Sequence, residues 1–459
     1  MSSVRSTGSG PAGFTGDANT SARTAPGPLK QPMDKLLLVL TITLIGIGIV
    51  SVFDASYASQ LRLSESEYLL VAKQARWAVI GLAVMLVTMR IPYWTWRKYA
   101  FPAIAASIIL LVCVFVPHIG HSINYSRRWV GPSALSLQPS EFAKLALILY
   151  LAHICTVQGP RLKRLQEGLL PLLSVVTVTC VLIEREPDLG TAMVLFATST
   201  VMLYVAGARG RHLGSLLGLV AFVVLAMSIT KPYRMLRLIA FTNPKAYQLD
   251  NGYQVWHSLI AIGSGGFAGR GLGDGIEKIF IPMAPTDFIF PVIAEEWGFV
   301  GAVIVVTLFL LIVARGYTIA HSTKDTFGSL LATGLTAMIA LQSLINIAVA
   351  TSSIPDTGVP LPFISYGGSS LVMLMASIGL LLNISRYPEG RGRLDSPDGP
   401  PRPNERDFEK RWSRPYVPRD PEFGVSDHDR AKSTKRSTKP GGRSKADSRA
   451  KAEVLSSRN

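Results

Sequence analysis

The chain has 459 residues, of which 48% are hydrophobic and 17% are charged, and its mean hydropathy is +0.32. This composition excludes an ordinary soluble globular protein, in which about 25% of the residues are charged. The apolar residues come in runs of about 18 to 22, the length of helix that crosses roughly 30 Å of hydrocarbon. The sequence therefore predicts an all-α polytopic membrane protein.

Both ends of the chain lack the apolar content of a folded domain. Residues 1–34 are rich in Ser, Thr, Gly and Pro without the apolar core of a cleavable signal peptide, so the first span is expected to direct its own insertion. From Arg386 onward, 19 Lys and Arg stand against 12 Asp and Glu, a difference of +7. We predict disordered tails over 1–34 and 388–459 and a membrane domain over 35–387. The basic tail is either solvated or in contact with anionic lipid or a soluble partner, and no nucleic acid is expected.

Ten apolar runs predict ten membrane spans, with a large structured loop between the seventh and the eighth. The runs lie near residues 35–53, 72–90, 100–118, 140–157, 168–184, 188–206, 213–230, 297–315, 328–350 and 366–385. Lys and Arg are concentrated in alternate loops, at 90–98, 161–164, 209–211 and 315–324. Because positively charged loops stay in the cytoplasm, we expect these loops and both tails to be cytoplasmic. The remaining loops then face outward.

The outward loop before the fourth span, and the helix after it, carry four charged residues near the membrane surface. Arg127 and Arg128 precede Trp129, so they are either anchors in an aromatic belt or a clamp for phosphate oxygens. Glu141 and Lys144 are three positions apart and share one helix face, where they can neutralise each other. Ionisable groups at membrane depth otherwise indicate a functional site. Both interpretations of each pair stay open at this point.

The short loop between the fifth and sixth spans is rich in acids and reads EREPDLGTA. Asp188 follows Pro187 and suits a helix start, where its carboxylate would cap free N–H groups. In the ninth span, Gln342 and Asn346 lie one turn apart and are expected to form hydrogen bonds across helices.

The outward loop over 231–296 is too long for a simple connector, and its aromatic content argues against disorder. Six glycines between Gly263 and Gly273 permit close backbone approach and positive φ. The sequence predicts no strand before these glycines and has no Lys-Ser/Thr after them, which argues against a nucleotide-binding P-loop. A re-entrant turn or a contact with a lipid pyrophosphate fits the pattern better.

The stretch over 282–298 combines one isolated acid with a pair of acids and reads PMAPTDFIFPVIAEEWG. No basic residue lies within eight positions before Asp287, and its apolar neighbours are expected to desolvate its carboxylate in part. Desolvation raises the pKa of a carboxylate and makes the ionised form a stronger base. A turn-forming role for Asp287 is the alternative. Glu295 and Glu296 are expected to open the eighth span, since acids stabilise a helix N-terminus.

Five ordered motifs link these polar residues to a known family. They are RRW followed by QPSEFAKLALILYLA, EPDLGTA, GYQ followed by SLIAIGSGG, PTDFIF followed by IAEEWG, and GVPLPFISYGGSSL. Together they resemble the SEDS family (shape, elongation, division and sporulation) over residues 35–387. The C-terminal motif is more similar to the FtsW branch than to the RodA branch.

The resemblance implies a ten-span peptidoglycan glycosyltransferase at the outer face of the cytoplasmic membrane, acting in cell division at the septum. It implies the substrate lipid II, an undecaprenyl-pyrophosphate-linked disaccharide peptide, and a class B penicillin-binding protein as transpeptidase partner, beside other division proteins and membrane lipids. The essential loop Asp of the family falls on Asp287, and its functional charged residues fall on Arg128, Glu141 and Lys144. Pro291 stands where relatives commonly have Ala and is expected to perturb the first turn of the helix that follows.

The chemistry of such an enzyme suggests a role for each side chain. We expect Asp287 to act as the base, while the other candidates bind pyrophosphate (Arg127, Arg128, Lys144 and Glu141) or support the site (Asp188, Glu295 and Glu296). A divalent cation, Mg²⁺ or Mn²⁺, is a candidate helper, and no organic cofactor is expected. The alternatives are a lipid II flippase, a RodA-type elongation polymerase and a scaffold that recruits division proteins. A flippase would spread its charges across the membrane depth, whereas here they gather at the outer edge.

Overall fold

The structure is a computed structural model, and it describes residues 30–63, 69–117, 120–123, 126–131, 136–230 and 232–389. The predicted tails therefore lie almost wholly outside the described residues. The helices are α1 Lys35–Leu63, α2 Leu69–Arg90, α3 Tyr93–Trp96, α4 Ala100–Cys113, α5 Pro139–Gln158, α6 Leu170–Arg185, α7 Leu189–Val205, α8 Gly210–Thr230, α9 Pro232–Thr242, α10 Tyr253–Ser264, α11 Ile289–Ser322, α12 Thr326–Ala350 and α13 Gly368–Arg386. Short 3-10 turns lie at Arg97–Tyr99, Gly159–Lys163 and Glu277–Ile279, and a π-helical turn lies at Leu165–Leu169.

Eight helical segments in the described part of the chain are long and apolar enough to cross a membrane. They correspond to the predicted spans one to five and eight to ten, and the shorter apolar helices Leu189–Val205 and Gly210–Val223 correspond to the sixth and seventh. The prediction of an all-α polytopic membrane protein is confirmed. Two boundaries differ: the third span begins at Tyr93 rather than near 100, and the eighth at Ile289 rather than near 297.

Helix α13 lies at the centre of the bundle and packs closely on α2. In the most apolar stretch of each helix, 89% of the residues are buried in α13 but only 17% in α2. Asn383 in α13 holds the turn after α2, because its Nδ2 donates to Met89 O at 2.7 Å and its Oδ1 accepts from Tyr93 N at 2.8 Å. A Cβ on Gly379 would lie 2.6 Å from Met85 O, so only glycine permits this approach.

We expect the substitution Gly379→Ala to lower stability by about 1–3 kcal/mol, because the added methyl group overlaps the backbone of α2. Thermal unfolding of the detergent-solubilised protein measures the effect. Gly46→Ala in α1 is the matched control, since nothing lies within 4 Å of a Cβ at that position. Equal unfolding midpoints for the two variants would contradict the close packing of α13 on α2.

A two-stranded antiparallel hairpin precedes α5 on the side predicted to face outward. Its strands are β1 Gly120–Ile123 and β2 Ser126–Val130, with Gly120 opposite Val130. An isolated bridge between Val130 and Leu137 extends the pairing toward α5. The hairpin thereby fixes the course of the segment that carries Arg128.

The long loop over 231–296 is structured, as predicted. It contains α9, α10, the 3-10 turn Glu277–Ile279 and the first turns of α11. Helix α10 is attached to the end of α12, where Ser258 Oγ donates to Ala350 O at 2.6 Å. The loop is therefore part of the bundle rather than a free connector.

The glycine-rich segment of this loop packs against a kink in α11. Gly298 has φ 66° and ψ −163°, so the helix is interrupted there and the carbonyl groups of the preceding turn are free to accept other donors. Gly271 N donates to Glu296 O at 3.1 Å. A Cβ on Gly269, whose φ is +84°, would lie 2.0 Å from the same oxygen. The predicted close backbone approach and positive φ are both confirmed.

Pro291 lies in the first turn of α11, which begins at Ile289. The N–H groups of a first turn have no partner inside the helix, so a proline there removes no hydrogen bond. Within α11 the sole non-helical residue is Gly298, well beyond the first turn. The expected perturbation at Pro291 was therefore wrong.

Candidate active site

Asp287 lies in the turn that leads into α11, where residues from four predicted outward loops meet. Its backbone is held by α12, because Asn346 Nδ2 donates to Asp287 O at 2.8 Å and to Val359 O at 2.7 Å. Its side chain points toward the turn before α13, where a Cβ on Gly358 would lie 3.5 Å from Asp287 Oδ2. The predicted hydrogen bonds of Asn346 therefore join the loop that carries Asp287 to the loop that carries Val359.

The environment of Asp287 favours a weakly acidic carboxyl group. The pKa of Asp287 is raised from 3.8 to about 7, mainly by burial and in addition by the nearby carboxylates of Asp356 and Asp188. The guanidinium groups of Arg128 and Arg237 act in the opposite direction. The predicted desolvation is thus present, and an Asp with this pKa is a stronger base than an ordinary one.

Arg128 connects the hairpin to the turn after α6. Its Nε donates to Glu186 O at 3.0 Å, its Nη2 donates to Pro187 O, and its Nη1 lies 4.0 Å from Asp188 Oδ2. The side chain is 26% exposed, so the guanidinium group is positioned by the turn and still partly open to the site. Arg127 lies on the same strand, and its side chain is outside the described residues.

Asp188 is the N-cap of α7, as its position after Pro187 predicted. Its Oδ1 accepts from Thr191 N at 3.2 Å, and its Oδ2 accepts from Gln138 Nε2 at 3.2 Å. The carboxylate is buried. It therefore shapes the turn that holds Arg128, while a direct role in supporting catalysis stays a prediction.

Two charged residues beside Asp287, Arg237 and Asp356, were not predicted from the sequence. Arg237 Nη1 lies 3.2 Å from Asp356 Oδ2, and Asp356 Oδ1 accepts from Gly358 N at 3.1 Å. The two residues are 119 positions apart in the chain, so no local pattern indicates their pairing. The one available signal was that both lie in loops already predicted to face outward.

Glu186 is fully buried in the turn that binds Arg128, and no local pattern distinguished it from its acidic neighbours. The pKa of Glu186 is raised to about 8, mainly by burial and in addition by Asp188, while Arg128 acts in the opposite direction. Neither carboxyl oxygen has a hydrogen-bond partner among the residues that the structure describes. This environment favours the protonated, uncharged form of Glu186, which reduces the buried negative charge beside Asp188.

Residues 34–390 match the model of the FtsW, RodA and SpoVE proteins, described as a cell cycle protein family. The chain belongs to the FtsW/RodA/SpoVE family. Stage V sporulation protein E of Bacillus subtilis is 41% identical over 362 residues, which cover 78% of this chain and 98% of that protein. A probable peptidoglycan glycosyltransferase FtsW of Trichlorobacter lovleyi is 40% identical over 354 residues, which cover 77% of this chain and 93% of that protein.

Solved structures agree with this assignment. A chain of a peptidoglycan synthase complex that coordinates polymerization and crosslinking matches with a TM-score of 0.65 and 31% identity, over 78% of this chain and 98% of that chain. RodA of Thermus thermophilus matches with a TM-score of 0.58 and 30% identity, over 77% of this chain and 98% of that chain. The resemblance to the SEDS family drawn from the five motifs is confirmed, and so is the fold that it implied.

In this FtsW/RodA/SpoVE chain, Glu141 and Lys144 form a buried ion pair. Lys144 Nζ lies 3.0 Å from Glu141 Oε2, and each side chain is only 3% exposed. Lys144 Nζ also donates to Gln342 Oε1 at 3.0 Å, while Gln342 Nε2 donates to Pro360 O at 3.1 Å. Mutual neutralisation and the predicted hydrogen bond of Gln342 across helices are both found. A role of this pair in binding pyrophosphate stays a prediction.

Glu295 and Glu296 do not open a helix, so that expectation was wrong. Both lie in the second turn of α11 and are buried. Glu295 Oε1 accepts from Ile276 N at 2.9 Å and lies 3.6 Å from Arg270 Nη1. Their partners come from the preceding loop, because its folding against α11 supplies donors that the local sequence does not show.

Glu296 belongs to a buried cluster built around Lys278, which was not predicted from the sequence. Lys278 Nζ lies 2.7 Å from Glu296 Oε1 and 2.5 Å from Asp54 Oδ1 in α1, and it donates to Gly273 O at 2.9 Å. Lys278 and Asp54 are 224 positions apart. This Lys278 cluster fastens the loop to α1 and to α11, the helix that begins directly after Asp287.

Among the described residues, no group of three or more His, Cys, Asp or Glu side chains is placed to hold a metal ion. A cage made wholly of protein ligands therefore does not fit this part of the family fold. A Mg²⁺ ion that binds together with phosphate groups needs only one or two carboxylates. Asp287, Asp356 and Asp188 are the carboxylates at this site that could contact such an ion.

Proposed function

We propose that this chain is a peptidoglycan glycosyltransferase that polymerises lipid II into glycan strands at the outer face of the cytoplasmic membrane. The observation that carries the proposal is the setting of Asp287, a half-buried carboxyl group whose raised pKa is partly offset by two nearby arginines, Arg128 from the hairpin and Arg237 from α9. Relatives that bear the name peptidoglycan glycosyltransferase FtsW support the same activity. The similarity of the C-terminal motif to FtsW favours septal synthesis in cell division over a RodA-type role in elongation.

The proposed reaction joins two lipid-linked disaccharides. Asp287 removes the proton from a hydroxyl group of the acceptor sugar while the oxygen attacks the anomeric carbon of the donor. The bond from that carbon to the pyrophosphate oxygen breaks, and undecaprenyl pyrophosphate leaves with the electron pair. Arg128 and Arg237 lie near enough to Asp287 to offset the negative charge that develops on the leaving group. A divalent cation bound with the pyrophosphate would supply further positive charge there.

One similar structure belongs to a synthase complex that couples polymerization to crosslinking. We infer that this chain likewise works beside a class B penicillin-binding protein. The loops rich in Lys and Arg support cytoplasmic termini, which leaves Asp287, Asp188, Arg128 and Asp356 on the outward side.

The decisive experiment incubates the purified full-length chain with lipid II, with and without its transpeptidase partner, and separates the products on a gel. A ladder of glycan strands is expected. Transfer of lipid II between the leaflets of a vesicle without polymer formation would instead support the flippase alternative.

We expect the rate of polymerisation to rise with pH by about tenfold per unit below about 7 and to level off above it. The sign follows from the proposed role, since only ionised Asp287 accepts the proton and the pKa of Asp287 is raised to about 7. Initial rates at saturating lipid II across the pH range give the midpoint.

Arg128→Gln should move the same midpoint to higher pH, because Arg128 lowers the pKa of Asp287. Arg209→Gln, an exposed residue at the start of α8, is the matched control and should leave the midpoint in place. Asp287 would be excluded as the titrating group if the wild-type midpoint lay far from pH 7 and Arg128→Gln left that midpoint unchanged.

A further inference from the structure

A cavity of about 560 Å³ lies on the side of the bundle that is predicted to be cytoplasmic. Its walls include Trp94, Arg97, Lys98 and Phe101 from the start of the third span, His153 from α5 and Phe327 from α12. None of these residues belongs to the candidate active site. Both of the loops that meet here, before α4 and before α12, are rich in Lys and Arg.

The cavity presents positive charge that the protein itself does not neutralise. Within the described part of the chain, neither Arg97 nor Lys98 forms an ion pair with a carboxylate. The nearby carboxylate of Asp325 serves α12 instead, because its Oδ2 accepts from Gly328 N at 3.0 Å as the N-cap. The cavity therefore has two positively charged side chains, Arg97 and Lys98, and one carboxylate that already caps α12. This charge balance suits an anionic ligand.

Arg97 is also held in one orientation by neutral neighbours. Its Nε donates to His153 Nδ1 at 3.0 Å, and its guanidinium carbon lies 6.0 Å from the centre of the Phe327 ring. An arginine has five N–H donors, so the remaining donors of this fixed guanidinium group are available to a ligand. Such a planar group binds phosphate oxygens in pairs.

An apolar surface continues from the cavity along α4. Phe101, which lines the cavity, is 54% exposed, and Ile109 and Val112 on α4 are 62% and 47% exposed. Phe101, Ile109 and Val112 recur at helical spacing, so they line one face that looks away from the bundle. A ligand for this site would therefore combine a phosphate group with hydrocarbon chains.

We propose that this cavity binds the headgroup of an anionic phospholipid from the cytoplasmic leaflet, with its acyl chains along α4. A phospholipid headgroup and a free phosphate ion both offer the phosphate oxygens that Arg97 and Lys98 would bind. The aromatic side chains in the cavity wall and the exposed apolar face of α4 favour the lipid, since a free ion would need neither. Basic pockets between spans on the cytoplasmic side suit such headgroups.

The test measures binding of phosphatidylglycerol to the detergent-purified full chain by native mass spectrometry, with phosphatidylcholine of the same acyl chains as the zwitterionic reference. The wild-type chain should prefer phosphatidylglycerol. The double variant Arg97→Gln/Lys98→Gln should lower phosphatidylglycerol affinity by roughly 30-fold, because each basic residue near an anionic lipid changes affinity about fivefold. Arg209→Gln/Arg211→Gln, which removes two exposed charges elsewhere on the same predicted side, should change it little.

Two further arms keep the result decisive. Lys98→Arg keeps the charge and should bind phosphatidylglycerol within about twofold of the wild type. Millimolar inorganic phosphate should leave the phosphatidylglycerol adduct in place. Equal losses in the two double variants, equal binding of the two lipids, or full displacement by inorganic phosphate would each overturn the proposal.

Discussion

Asp287→Asn is expected to lower the rate of glycan polymerisation by about 10²- to 10⁴-fold, the usual contribution of a general base. Asn has nearly the same shape as Asp but does not take up a proton at neutral pH. The backbone around the site should survive the change, because Asn346 holds Asp287 through its carbonyl oxygen rather than its carboxylate. The loss should therefore appear in the rate at saturating lipid II more than in the amount of folded enzyme.

Asp250→Asn is the matched control for this experiment. Asp250 is an exposed carboxylate in the same outward loop, and its removal should leave the rate unchanged. Both variants should be compared at equal membrane insertion and equal binding to the transpeptidase partner. Polymer formation by Asp287→Asn at the wild-type rate would show that another group takes the proton.

Stability offers a second readout that separates a catalytic from a structural role for Asp287. Its pKa is raised from 3.8 to about 7 in the folded chain, so the folded state loses stability as pH rises through that range. Asn removes this loss, and the unfolding midpoint of Asp287→Asn above pH 7 should equal or exceed that of the wild type. A turn-forming Asp that was needed for folding would give the opposite result.

The sequence predicts those features of the molecule that depend on local pattern. Apolar run length placed the spans because hydrocarbon thickness fixes helix length. Asp188 was predicted as a cap because the carboxylate and the N–H group it accepts from are only three positions apart. Asp287 stood out because its chemistry is unlike that of its immediate neighbours.

Features that depend on distant pairing could not be predicted in the same way. The ion pair of Arg237 with Asp356 joins two outward loops that meet only in the folded bundle. Glu295 and Glu296 follow an apolar run and look like helix-start residues, yet α11 begins earlier, at Ile289. Their true partners become visible only when the glycine-rich segment folds against the kink at Gly298.

The Lys278 cluster leads to the largest expected effect on stability. Lys278→Met should destabilise the protein by about 3–5 kcal/mol, because it leaves the buried carboxylates of Asp54 and Glu296 without their cation. Lys278 is only 5% exposed, so water does not replace the lost partner. Thermal unfolding at neutral pH measures the loss, and Lys245→Met, an exposed lysine of the same loop, should show almost none.

The triple variant Asp54→Asn/Lys278→Met/Glu296→Gln tests whether the cost arises from unpaired charge. With all three charges removed, most of the stability lost in Lys278→Met should return, since replacing a whole buried ionic group is often neutral. If the triple variant is as unstable as Lys278→Met, the packing of the lysine stem rather than its charge holds the loop. Polymerisation should recover together with stability, because the cluster joins α1 and the loop to α11, and the position of Asp287 depends on the start of that helix.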